Sequence, residues 1–187
     1  MRLFIGLELS DAVRERVRVI ADAVRKKLGP RVIARWITPE NLHITLWFIG
    51  EVSDDRAATI LREMNAPFAT PSFDLEVRGL GVFPPHGAPR VLWIGVGDGQ
   101  ESAIALYGEL ATRLRPLGFE PERRPYSAHL TIARVKAWTE RRPPFREMAG
   151  EFPADAGRCR LDAVTVFRSR LSPKGAAYDP LLRVPLQ

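Results

Sequence analysis

Cysteine is nearly absent from this chain, since Cys159 is the only one among 187 residues. A single cysteine excludes an internal disulfide, and with no second cysteine nearby it does not anchor a zinc cluster. Cys159 lies between Arg158 and Arg160 at the start of a predicted strand. We interpret it as a structural cysteine; the alternative is a reactive thiol whose pKa the two positive charges lower.

Long hydrophobic runs are also missing. The first apolar segment, residues 1–7, ends at Glu8 and is too short for a signal peptide or a membrane span. We therefore expect a soluble, cytoplasmic protein that has no membrane partner. The 45% of hydrophobic residues suffice for one domain or for two small fused lobes.

Several common catalytic motifs are absent from the sequence. It has no G-x-x-x-x-G-K-[ST] phosphate loop, no G-x-S-x-G nucleophile elbow and no H-E-x-x-H metal helix. The glycine-rich segment 95–99 follows a predicted strand but lacks the G-x-G-x-x-G spacing, so we interpret it as a turn.

Positive charge is in excess, with 28 Lys and Arg against 22 Asp and Glu, a net charge of +6 and a pI of about 10.1. Such an excess attracts polyanions such as RNA and nucleotides. Much of it lies on predicted helix faces, where the alternative is a solvated surface. The composition alone leaves both interpretations open.

Histidine is scarce too, yet two of the three histidines occur in matching tetrapeptides. His43-Ile44-Thr45-Leu46 is repeated as His129-Leu130-Thr131-Ile132. A strand places residues i and i+2 on one face, so each segment presents a histidine and a threonine on one side and two apolar residues to the core. His86 has no threonine at i+2 and lies in a turn-rich segment, so we interpret it as an exposed bystander.

The two tetrapeptides stand in similar surroundings, which indicates an internal duplication. In each half of the chain a strand, a helix and the histidine strand follow one another at nearly equal distances: residues 3–8, 11–28 and 42–49, then 91–96, 102–117 and the strand from His129. We expect an α+β protein made of two related lobes, with 83–89 as the hinge between them.

The remaining segments give weaker patterns. Residues 160–170 alternate like one strand, 178–186 could add an edge strand that tolerates Pro180 and Pro185, and 138–148 look irregular or briefly helical. In the third helix an apolar stripe is predicted from the spacing of its residues, Ile104, Tyr107, Leu110, Ala111 and Leu114.

Two histidines on facing strands suit general acid-base chemistry at a phosphorus atom. An unperturbed imidazole has a pKa near 6.5, so one ring can accept a proton while the other donates one. Threonine hydroxyls could then hold the phosphoryl oxygens. A metal site is the competing interpretation, but there are only two candidate rings, and neither tetrapeptide holds a carboxylate.

At these residues the chain resembles the 2H phosphoesterase superfamily, named for its paired H-x-T-x motifs. It is most similar there to the RNA 2′,3′-cyclic phosphodiesterases of the ThpR/LigT type, also called the 2′-5′ RNA ligase family. The likeness rests on residues 2–7, 40–52, 129–134 and 167–172, which span nearly the whole chain.

The resemblance implies a single domain, residues 1–187, of two lobes. Each lobe would carry one H-x-T-x strand, and pseudo-two-fold symmetry would set two antiparallel or mixed sheets around a central groove, with helices outside. It also implies hydrolysis of terminal 2′,3′-cyclic phosphates, on RNA or cyclic nucleotides, to 2′-phosphates without a metal or other cofactor. By the family pattern His43 and His129 form the acid-base pair, and Thr45, Thr131 and Arg134 bind the phosphate.

Two features of the candidate site depart from simple expectation. Strict alternation points Arg134 away from His129, so the strand must end, twist or bulge between them. The family often has proline before the second histidine, where this chain has Ala128.

Further RNA contacts are less defined by the sequence. Trp47 shares a face with His43 and Thr45, while Trp36 and Tyr126 lie upstream of the two histidine strands; each could stack on a base or pack in the core. Arg124, next to Arg123, could contact the RNA backbone or be solvated.

Two alternative functions stay open. The first is a module that binds nucleotides or RNA ends without hydrolysis, and the second is an enzyme that joins RNA ends through 2′-5′ bonds. Nothing in the sequence resembles a dimerisation element, so we expect a monomer.

Overall fold

The computed structural model describes residues 1–139, 145, 149–150, 152–172 and 175–187. Nine strands and three helices of known extent occur in these residues, which confirms the α+β class. In chain order they are β1 (Arg2–Glu8), α1 (Asp11–Leu28), β2 (Val32–Trp36), β3 (His43–Glu51), α2 (Asp54–Met64), β4 (Phe73–Phe83), β5 (Val91–Val96), α3 (Gln100–Leu114), β6 (His129–Trp138), β7 (Asp155–Leu161), β8 (Ala163–Ser172) and β9 (Gly175–Pro185).

Helix α1 shows why local sequence predicts the helices well. The hydroxyl of Ser10 accepts a hydrogen bond from the backbone N–H of Val13, and Asp11 stands in the first turn. Gly29 ends the helix at a positive φ of 53°. The apolar residues form one buried stripe, so the predicted bounds of 11–28 are confirmed.

The nine strands form one antiparallel sheet, where the sequence predicted two. Their order is β7-β4-β5-β6-β3-β1-β8-β9. Strand β2 pairs with residues 133–138 of β6, beyond the point at which β3 pairs with β6. The two expected sheets are joined because β3 and β6, the histidine strands, pair with each other at Ile44 and Leu130. The histidine strands therefore lie side by side at the centre of a single sheet.

The segment 83–89, expected to be a hinge between lobes, is the loop of a hairpin. Strands β4 and β5 on either side of it pair directly, with Phe83 opposite Val91. The backbone N–H of Arg90 also donates to the carbonyl of Phe83 across 2.7 Å. The prediction was wrong because a proline-rich turn marks a change of chain direction equally well whether the flanking strands separate or pair.

The strand predicted over 160–170 is two strands, β7 and β8, which join different parts of the sheet. Strand β7 pairs with β4 and β8 pairs with β1. Asp162 separates them, and its carboxylate accepts a hydrogen bond from Arg183 at 2.6 Å. The edge strand predicted at 178–186 is confirmed as β9, although it begins earlier, whereas the prediction for 138–148 falls mostly outside the described residues.

The core lies between one face of the sheet and the helices. Helix α3 buries Ala103 and Leu106, while Ile104, predicted to be part of its apolar stripe, is 45% exposed. Cys159 is buried, and this burial raises the pKa of its thiol, which favours the structural interpretation over the reactive one. In the described part of the chain no helix is long and apolar enough to cross a membrane.

Candidate active site

The pairing of β3 with β6 brings the two tetrapeptides together. Ile44 lies opposite Leu130, and both side chains are 0% exposed in the core. Alternation then places the four polar side chains of the motifs on the other face of the sheet. The antiparallel register, carried one residue further on each side, sets His43 across from Thr131 and Thr45 across from His129.

A cavity of about 360 Å³ lies on this face. The polar motif residues that line it are Thr45, His129 and Thr131, and Arg134 joins them. His43 is not among the lining residues, but it is hydrogen bonded to Thr45, which is. The rest of the wall is largely aromatic and acidic, and includes Trp47, Phe48, Phe83, Tyr107, Tyr126, Glu120, Glu122 and Arg124.

The imidazole of His43 is held by a backbone carbonyl. Its Nδ1 lies 2.8 Å from the oxygen of Asn41, and because a carbonyl only accepts, Nδ1 carries the hydrogen. The Nε2 of the neutral ring is then an acceptor, 3.0 Å from the hydroxyl of Thr45, which donates to it. The basic nitrogen of His43 is thus placed beside a phosphate-binding candidate.

The imidazole of His129 is oriented in the same way. Its Nδ1 donates to the carbonyl of Ser127 across 2.8 Å, two residues upstream as in the first motif. The rings of His129 and Phe83 meet in a T-shaped arrangement, with the ring centres 4.9 Å apart, while His43 packs against Phe4 at 4.7 Å. Both rings therefore have the Nε2 atom left as the base.

The pKa values of both histidines are lowered, chiefly by burial. Burial lowers the pKa of His43 to about 4, and the positive charges of Arg134 and His129 act in the same direction against the hydrogen bond to Asn41. Burial and Arg134 also lower the pKa of His129, while Glu122 opposes them. Both rings are neutral at pH 7 when no anion is bound.

A β-bulge turns Arg134 toward the cavity. Leu92 of β5 lies opposite Ala133, but the next residue, Trp93, lies opposite Thr131, so β6 carries one extra residue there. Ile132 and Ala133 are consequently both buried, and Arg134 returns to the face of Thr131. The bulge is the irregularity that was predicted between His129 and Arg134.

A similar bulge in β3 separates the roles of Trp47 and Phe48. Ile5 lies opposite Trp47 and Gly6 lies opposite Thr45, so strict alternation fails after Thr45. Trp47 lies opposite the buried Ile5, so the expectation that it shares the face of His43 is wrong, although Trp47 still lines the cavity. It is only 6% exposed and stacks on Tyr107, with the ring centres 5.0 Å apart.

Phe48 lines the cavity with 57% of its surface exposed. Phe48 was not among the site residues predicted from the sequence. A signal was present, because Phe48 follows His43 at the same distance at which Arg134 follows His129.

Of the other candidate RNA contacts, Tyr126 and Arg124 line the cavity and Trp36 does not. Tyr126 lines the cavity, donates its hydroxyl hydrogen to the carbonyl of Thr45 across 3.0 Å, and stacks on Tyr107 at 4.6 Å; its burial raises the pKa of the phenol. Arg124 is exposed at the rim of the cavity. Trp36 packs on the core from β2 and is not among the residues that line this cavity.

Comparison of the sequence with known proteins gives consistent matches. A family model described as "LigT like Phosphoesterase" matches twice, at residues 7–93 and 94–178. An RNA 2′,3′-cyclic phosphodiesterase of Archaeoglobus fulgidus is 33% identical over 182 residues, covering 97% of this chain and 98% of that one. A protein of the same name from Methanothermobacter thermautotrophicus is 34% identical over 185 residues, covering 97% and 96%.

Solved structures share the whole fold. TT0787 of Thermus thermophilus superposes with a TM-score of 0.77 at 27% identity, and the match covers 99% of this chain and 97% of the other. Escherichia coli LigT, in a complex with 3′-AMP, gives the same TM-score and coverage at 25% identity.

Proposed function

The chain belongs to the LigT-like phosphoesterase family, and on that premise we propose that it hydrolyses the 2′,3′-cyclic phosphate at the end of an RNA. The product is a 2′-phosphate, and the reaction uses the two histidines without a metal ion. Names of relatives support the substrate, since full-length relatives are called RNA 2′,3′-cyclic phosphodiesterases.

One observation carries the mechanism, the direct pairing of the two histidine strands. It sets two oriented imidazoles on one face of the sheet, His129 in the cavity wall and His43 hydrogen bonded to Thr45, which also lines that wall. A module that only binds nucleotides would need hydrogen-bond donors, but it would not need two rings whose Nδ1–H bonds leave both Nε2 atoms as proton acceptors. The pair therefore favours hydrolysis over binding alone.

The proposed reaction is an in-line displacement at phosphorus. One neutral imidazole takes a proton from a water molecule as the water oxygen bonds to phosphorus. The other imidazole gives its proton to the ribose O3′ as the P–O3′ bond breaks, leaving the phosphate on O2′. The bound phosphodiester is an anion, and its charge raises the pKa of the rings that burial had lowered, so that one of them can be protonated at neutral pH.

The phosphoryl oxygens need donors, and three side chains are placed to provide them. Thr45 and Thr131 line the cavity on adjacent strands. Arg134 lines it too, and its positive charge lowers the pKa of both histidines. On binding, the hydroxyl of Thr45 would exchange its bond to His43 for one to the phosphate. Preorganised donors of this kind stabilise the charge that develops in the transition state.

Replacement of Arg134 by glutamine tests this role. We expect kcat/KM to fall about 10- to 100-fold, as the loss of a hydrogen bond to a charged group implies. Without the guanidinium the pKa of both histidines rises, so the acidic limb of the pH-rate profile moves to higher pH. Arg134→Lys keeps the charge and should leave that limb in place; a profile that Arg134→Gln does not move would argue against the assignment.

Phe48 is the proposed platform for the terminal base. It is exposed beside the motif threonine, and base-aromatic stacking contributes roughly 1–3 kcal/mol per base. Phe48→Ala should therefore raise KM about 5- to 100-fold with little change in kcat, while Phe48→Tyr should retain the wild-type KM. Steady-state kinetics on a cyclic mononucleotide measure both, and equal KM values for all three proteins would count against stacking.

We also propose that the chain is one domain of two symmetry-related lobes. The family match is itself double, at residues 7–93 and 94–178. Outward from the central pair the strand order is β3-β1-β8-β9 on one side and β6-β5-β4-β7 on the other. The central strands β3 and β6 belong to different repeats, and each side also takes a strand of the opposite repeat, β8 beside β1 and β4 beside β5, so the two repeats exchange strands across a pseudo-two-fold axis.

Product analysis tests the proposed function. An RNA oligonucleotide that ends in a 2′,3′-cyclic phosphate is incubated with the protein and a chelator, and the ends are identified by chromatography. A 2′-phosphate is the expected product. A 3′-phosphate, or activity only without the chelator, would contradict the proposal. Binding without turnover would favour the nucleotide-binding module, and 2′-5′ joining to a 5′-hydroxyl RNA would favour the ligase.

A further inference from the structure

A second cavity adjoins the first. Its volume is about 510 Å³, and it shares Phe83, Val91 and Arg124 with the cavity that holds the motif residues. The remainder of its wall comes from the loop between β4 and β5 and includes His86 and Arg90. Phe83, which packs on the ring of His129, is thus a wall common to both spaces.

The charges of the two cavities differ. Glu120 and Glu122 line the first, whereas no carboxylate of the described residues lines the second. Arg90 and Arg124 are exposed, and within the described part of the chain neither forms an ion pair. Many other arginines do pair with carboxylates, among them Arg18, Arg78, Arg158, Arg168, Arg170 and Arg183.

The backbone that carries Arg90 is anchored to the sheet. The N–H of Arg90 donates to Phe83 across 2.7 Å, and its carbonyl accepts from the N–H of Val135 on β6 at 2.8 Å. The indole of Trp138 donates to the carbonyl of Pro89 at 2.7 Å. The guanidinium is therefore attached to a fixed point beside the catalytic cavity, rather than to an unsupported loop.

We propose that the second cavity binds the backbone phosphates of the nucleotides that precede the cyclic end. The inference rests on the proposed function and adds the size of the substrate: an RNA oligonucleotide is preferred to a cyclic mononucleotide. Arginine suits this task because its planar guanidinium binds phosphate oxygens in a bidentate manner. From the terminal nucleotide, the RNA chain would run past Phe83 and Arg124 into the second cavity. There it would reach Arg90 and His86.

The test compares two substrates with the same terminal nucleoside, a 2′,3′-cyclic mononucleotide and a trinucleotide that ends in it. Wild-type protein should give a higher kcat/KM on the trinucleotide. Arg90→Gln should lower that value about tenfold, the effect of one lost charge-assisted contact, and leave the mononucleotide value unchanged. For the trinucleotide, the slope of log kcat/KM plotted against log salt concentration should become shallower by about 0.7 in Arg90→Gln.

Arg25→Gln is the matched control, because it removes the same charge from an exposed site on α1, outside both cavities. It should leave both substrates unaffected. Equal wild-type values for the two substrates, or an equal loss on both in Arg90→Gln, would overturn the inference while leaving hydrolysis intact.

Binding separates this inference from the failure of hydrolysis. Fluorescence anisotropy of a labelled trinucleotide with a 2′-phosphate end needs no turnover. Arg90→Gln should weaken its binding about tenfold, whereas Arg25→Gln should not. If wild-type protein turns over neither substrate, the proposed function fails, and the anisotropy result alone supports or overturns the second cavity as a phosphate site.

Discussion

Replacing His129 by alanine should lower the turnover of a 2′,3′-cyclic phosphate by about two to four orders of magnitude, the range that one general acid or base contributes. The fold should survive, because the strand is held by Leu130 in the core and by the pairing of β6 with β2 and β5. His43→Ala should have an effect of the same order, since each ring serves one of the two proton transfers.

The losses of activity in His43→Ala and His129→Ala should not add in the double variant. The rings act on one displacement, and once either proton transfer fails the other ring has little left to assist. The double variant is therefore expected to be about as slow as the slower single variant. Lys136→Ala, an exposed residue on the same strand as His129 and outside both cavities, should keep the wild-type rate.

Single-turnover rates and far-UV circular dichroism on the same samples separate chemistry from folding. Wild-type rates in either folded histidine variant would remove that ring from the mechanism. Multiplying losses in the double variant would mean that the two rings act independently.

Acid should destabilise the wild-type protein through His43. Its pKa in the folded state is about 4, while an unfolded histidine titrates near 6.5. Above pH 6.5 the ring is neutral in both states. As the pH falls from 6.5 to 4 the unfolded chain binds a proton that the folded protein does not, so stability is lost through this window, by about 3 kcal/mol in total.

The comparison with His43→Gln isolates this contribution. Urea unfolding at several pH values between 7 and 4 gives the free energy of unfolding of each protein, and titration of the groups that do not interact with His43 is common to both. The wild-type value should fall about 3 kcal/mol further than that of the variant. Parallel curves would show that His43 is not held neutral by burial.

The parts of the fold governed by local chemistry followed from the sequence. The bounds of α1 could be read from Ser10, Gly29 and one apolar stripe. The two histidine strands could be located because each H-x-T holds an apolar residue, Ile44 or Leu130, that is buried in the core. What local patterns do not specify is which strands become neighbours, so the joining of the sheet at these two residues was missed.

The errors within the site have a common cause in the bulges. A period of two was assumed along β3, which put Trp47 beside His43, whereas the extra residue there buries Trp47 and exposes Phe48. The same irregularity in β6 brings Arg134 to the cavity. A bulge depends on the partner strand as well as on its own residues, so the sequence of one strand did not reveal it.

The most direct test of the paired-histidine mechanism is a crystal structure with orthovanadate and a nucleoside, which mimic the displacement at phosphorus. We expect vanadium between the two imidazoles, with the Nε2 of His43 and of His129 each within hydrogen-bond reach of an apical oxygen. Thr45, Thr131 and Arg134 should contact the equatorial oxygens. Vanadate held by only one histidine, or bound elsewhere while both rings stay unengaged, would contradict it.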